Sequence, residues 1–110
     1  MTHALQDGVS LEIARRVAAR LREHPALLEV ARENLARWSR QNAGAASLLA
    51  CYAEWQALLS LPLEEICDRL CAETPEGHRL RQNSPFAGVL SPAEIWAIKA
   101  HHSSHAPTPA

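Results

Sequence analysis

Residues 46–60, ASLLACYAEWQALLS, read as a single helix and decide the fold class. Leu48, Tyr52, Trp55 and Leu59 recur at helical spacing, and Leu49 and Leu58 widen that face. Glu54 is the one charged residue of the stretch, so this helix is expected at the centre, as the most buried element. Tyr52 and Trp55 are read as core residues whose polar ends reach a partner or water.

Towards the N-terminus the same periodicity appears twice more. Leu27, Leu28, Ala31, Leu35 and Trp38 form one stripe of a helix over 25–41. On its polar face Glu29 and Glu33 precede Arg32 and Arg37 at three- and four-residue spacing, and Asn42-Ala43-Gly44 stops it. His24-Pro25 separates it from an earlier helix, because proline disfavours helical geometry in the residue before it and suits a first turn. That earlier helix carries Ala14, Val17, Ala18 and Leu21 inward and is expected to begin at Ser10, a good N-cap with Glu12 in the first turn. Residues 1–9 then form a flexible arm.

Towards the C-terminus, Pro62 opens a helix over 62–72 that turns Leu63, Ile66, Cys67 and Leu70 inward. Thr74-Pro75-Glu76-Gly77 starts a short helix that ends near Gln82, before Ser84-Pro85. Ser91-Pro92-Ala93-Glu94 starts the last: a Ser cap, proline at the first helical position, and Glu three residues on to close a capping box. The tail, 101–110, is polar and proline-containing and is expected disordered. No alternating β segment appears. The reading is all-α, a compact bundle of five or six short helices in one domain over 10–100. Short turns imply that sequential helices pack antiparallel. The expected core is Leu21, Leu28, Ala31, Leu35, Tyr52, Trp55, Leu59, Ile66 and Leu70.

Composition narrows the class of function. In 110 residues, 47% are apolar and 21% charged, as in a soluble globular domain. A formal net charge of −1 provides no general attraction to nucleic acid or anionic membrane. The distribution is uneven, with +2 over residues 1–42 and −3 over 43–110, and ten of the eleven strong bases are Arg. No signal peptide and no membrane span is read, and three cysteines without disulfide spacing point to a reducing cytoplasm.

Four kinds of chemistry compete. Leu63–Leu80 has helix-turn-helix character, with Cys67 and Cys71 at the small-residue positions and Leu80 as an anchor. Gly77 falls where an aliphatic anchor belongs, the second helix begins with Glu76, and that helix's bases are only Arg79 and Arg81 with His78. Metal ligation is suggested by Cys67, Cys71, His78 and the tail histidines, but paired ligand clusters are missing, so no metal and no cofactor is expected. Ser84, Ser91 and the cysteines sit in no nucleophile motif, so the chain reads as a non-enzyme. The fourth is partner binding through 79–96, RLRQNSPFAGVLSPAEIW. Arg79, Arg81, Asn83, Phe86, Val89, Leu90 and Trp96 are its candidate residues, since Arg and Trp are frequent interface anchors. The alternative is that Phe86, Val89 and Leu90 simply pin the loop to the bundle.

The elements PALLEVARENLARW, YAEWQALL and LRQNSPFAGVLSPAEIW resemble those of small helical antitoxin-like proteins that bacteria encode beside toxin genes. The likeness covers about residues 11–98 and is sharpest over 80–96. It implies a protein that binds and masks a toxin from the adjacent gene, with repression of its own operon as a further role. The chain departs from the commonest antitoxin plan in lacking a clear DNA-binding module and a long toxin-wrapping tail. A DNA-binding regulator using 63–80 and a small adaptor subunit are the alternative readings.

Overall fold

Prolines and caps divide the chain as local chemistry dictates. The computed structural model describes residues 3–104, with side chains from 6 to 103. Helix α1 spans His3–Glu23, a 3-10 turn Pro25–Leu27 follows, and α2 spans Leu28–Gln41. Beyond them lie α3 (Ala46–Leu58), α4 (Leu63–Leu70), α5 (Pro75–Gln82) and α6 (Pro92–Ser104). No strand occurs among the described residues. None of the helices is long and apolar enough to cross a membrane.

Two of the three expected caps form. Thr74 Oγ accepts from the Gly77 N–H at 3.0 Å. Ser91 Oγ accepts from the Glu94 N–H at 3.1 Å, while Glu94 accepts from the Ser91 N–H at 2.9 Å. Ser10 does not cap. Helix α1 starts at His3, so residues 3–9 of the expected arm are helical, and α6 carries residues 101–104 of the expected tail. Tertiary ties explain the extension. Asp7 pairs with His78 of α5 at 3.2 Å, and Glu12 pairs with His102 of α6 at 2.7 Å. The rest of the arm and tail, residues 1, 2 and 105–110, lies outside the described residues.

The hub also differs from expectation. Helix α1 packs against α4, α5 and α6, whereas α3 packs chiefly on α2. The near absence of charge on α3 is misleading because its outer face is built from exposed Ala46, Ala50, Ala53 and Ala57, which favour helix without needing burial. Sequential packing holds for α2 with α3 and α4 with α5, while α4, α5 and α6 close on α1 over longer separations.

Every expected core residue is buried except Leu28, which is half-buried against the core. Trp55 lies at the centre. Its indole N–H donates to the Leu80 carbonyl at 3.1 Å, and its ring meets the edge of Phe86 at 5.6 Å. Tyr52 meets Trp38 at a ring separation of 5.9 Å and accepts from Asn42 at 3.3 Å. Gly77 lets α5 close onto the end of α4, since a Cβ there would stand 2.1 Å from the Ala72 carbonyl oxygen. The residue that looked like a missing anchor is a close-packing site.

Candidate partner-binding surface

The residues proposed from 79–96 separate into three groups. Phe86, Val89 and Leu90 are buried and belong to the core. They are tied down by Asn34, which is only 5% exposed and donates to both the Pro85 and Ala87 carbonyls at 2.8 Å. Arg37 donates to the Asn34 side-chain Oδ1 at 2.6 Å and so orients the amide. Gly88 permits the turn, with a φ of 97°.

Structural roles also account for Arg79, Arg81 and Asn83. Arg79 makes a two-toothed contact with Glu54 at 2.8 Å for each bond, and a further contact with Glu76. Arg81 donates to the Leu70 and Ala72 carbonyls at 3.1 and 2.7 Å, satisfying groups that the end of α4 leaves open. Its buried Nε has no acceptor among the described residues. Asn83 is the half-buried C-cap of α5. Both Arg residues of α5, the second helix of the helix-turn-helix candidate, are therefore already engaged.

Trp96 forms the third group. It is 73% exposed, the one large apolar side chain so exposed among the described residues. It stands beside a cleft with two lobes. The inner lobe, about 460 Å³, runs between the start of α1 and the end of α6, with Val9, Ile13 and Leu70 among its apolar walls. The outer lobe, about 540 Å³, lies under the 84–90 loop and carries Phe86, Leu90, Ile95 and Trp96. Ile13, Val17, Ser84 and Lys99 line both lobes, so the two lie side by side.

Ion pairs brace the walls. Arg20 of α1 pairs with Glu94 of α6 and donates to the Val89 carbonyl at 3.4 Å. The Ser91 N–H, then Arg20, hold the Glu94 carboxyl below the usual carboxylate range. The hydrogen bond from His102 lowers Glu12 in the same way. Burial pushes the Cys67 and Cys71 thiols up, and no group of three or more metal-ligating side chains converges among the described residues.

Of the residues read from sequence, Arg81, Phe86, Leu90 and Trp96 reach the cleft, and Arg79, Asn83 and Val89 do not. Sequence reasoning missed Ile13, Val17, Ser84, Ile95 and Lys99 as a set. The available signal was Val9, Ile13 and Val17, a second apolar row on the first helix at four-residue spacing. The chain matches no protein-family model, no curated protein and no solved structure.

Proposed function

We propose that the chain is a non-enzymatic, antitoxin-like protein that seats an apolar part of a partner toxin in this cleft and so holds the toxin inactive. One observation carries the reading: Trp96, 73% exposed, stands at the edge of an apolar cleft. A large aromatic left in water beside such a depression is a typical anchor of a protein interface. The sequence resemblance supplies the identity of the partner class. Free Cys51, Cys67 and Cys71 support a site of action in the reducing cytoplasm. Operator binding by 63–80 is less favoured, because Arg79 is held by two carboxylates and Arg81 by backbone carbonyls.

The test is co-expression with the product of the adjacent gene, followed by size-exclusion chromatography and a growth assay. A stable complex that relieves growth arrest is expected. A toxic gene product that neither co-elutes with this protein nor is neutralised by it would sink the reading.

A further inference from the structure

Charge is distributed unequally around the cleft. No Asp or Glu lines either lobe, while two cations, Arg81 and Lys99, do. Across the cleft on α1 the cations meet carboxylates: Arg15 with Glu73, Arg16 with Glu12, Arg20 with Glu94, and Arg22 with Glu64. Lys99 has no such partner among the described residues, and Arg81 meets only carbonyls. Lys99 also stands where the lobes join, with apolar walls to either side.

Spacing adds a second constraint. On α6, Pro92, Ile95, Trp96 and Lys99 line the outer lobe, and Lys99 and Ser103 line the inner one. At a rise of about 1.5 Å per residue, the α6 positions lining the outer lobe and those lining the inner one stand, on average, on the order of 8 Å apart along that helix. A partner helix presents side chains at i and i+7 about 10 Å apart along its own axis, with i+3 and i+4 between them on the same face. Crossing α6 obliquely, as packed helices do, brings i and i+7 over the two lobes and the intermediate position over Lys99.

Resting on the protein-binding reading above, we infer that the cleft takes an amphipathic helix of the partner whose contact face reads apolar, acidic, apolar. One apolar side chain fills each lobe, and the carboxylate between them meets Lys99. Such a pair, shielded by the flanking anchors, selects the helix and its register.

The test uses the full-length protein with the product of the adjacent gene. Affinity is measured by calorimetry at several salt concentrations for the native protein, Lys99→Ala, Lys99→Glu and, as a control away from the cleft, Arg40→Glu. Hydrogen exchange of the complex maps the contact. Lys99 is exposed, so circular dichroism should show each Lys99 variant folded. Expected are a loss of about tenfold or more for Lys99→Glu, a smaller one for Lys99→Ala, little change for Arg40→Glu, and a loss of affinity with salt. Protection should cover 9–17 and 92–103, and a partner segment with the apolar–acidic–apolar face. Changing that acid to Lys should restore binding to Lys99→Glu. A complex indifferent to Lys99→Glu, or protected elsewhere, overturns this inference and leaves the protein-binding reading standing. A cleft covered by a second copy, seen as a dimer by sedimentation, also overturns it. Absence of any complex removes both.

Discussion

The Asn34 side-chain amide donates to the Pro85 carbonyl at 2.8 Å, joining α2 to the 83–91 loop across 51 residues of sequence. A buried amide with both donors used is a specific clamp, because the buried Pro85 carbonyl has no water to turn to. Asn34→Ala should cost about 2–4 kcal/mol. Chemical denaturation would measure it, and hydrogen exchange should show the loss concentrated over 83–91. An Asn34→Ala protein as stable as the native one would mean that apolar packing alone holds the loop.

Phe86 and Trp96 test the division between pinning and recognition. Phe86→Ala empties a core site against Trp55 and should cost about 3–5 kcal/mol. Trp96→Ala should change stability by no more than about 0.5 kcal/mol, because the side chain stands in water. The same substitution should weaken partner binding by about 2 kcal/mol, or roughly thirtyfold. Thermal unfolding paired with calorimetry of the complex separates the two effects.

Gly77 and Gly44 should respond in opposite directions. A Cβ at Gly77 meets the Ala72 backbone at 2.1 Å, so Gly77→Ala must push α5 off α4 and should cost about 2 kcal/mol or more. A Cβ at Gly44 meets no heavy atom within 4 Å. Gly44→Ala should be neutral, or stabilising by up to about 1 kcal/mol through a less flexible unfolded chain. Urea midpoints for the pair would check the contrast.

Acid should destabilise the protein in a defined window. Glu12, Glu54, Glu64 and Glu94 all lie below the ordinary value of 4.5, chiefly through hydrogen bonds from His102, Arg79, Arg22 and the Ser91 backbone respectively. For a depressed carboxyl the unfolded chain binds protons first as pH falls. Its stabilisation is therefore complete above about 4.5 and is lost as pH drops through the folded value. Denaturation midpoints should change little on account of these groups between pH 7 and about 5.5, then fall towards pH 3. Glu94→Gln should lower the neutral-pH midpoint and flatten part of the acid slope.

Cys67 and Cys71 should resist alkylation at neutral pH, because burial raises both thiols and the thiolate is the reacting species. Mass spectrometry after iodoacetamide treatment should show both labelled much faster in urea than in buffer.

The sequence by itself determined the helices, the breaks between them and most of the core. Those features depend on neighbours within about one turn: the Thr74 cap, the Ser91–Glu94 capping box, the prolines at 25, 62, 85 and 92, and the apolar row through Leu28, Ala31 and Leu35. Local chemistry also showed that 79–96 was unusual, but not which of its side chains faced inward. Tertiary structure decided that Phe86 packs on Trp55, because the loop has no period to mark an inner face, and that Trp96 of α6 stays in water. It extended α1 to His3 through Asp7 and Glu12, whose partners His78 and His102 are distant in the chain. The cleft is the clearest case. Ile13 and Lys99 meet only when α1 packs on α6, and although Val9, Ile13 and Val17 mark a second apolar row on α1, nothing in that row says which distant helix it faces.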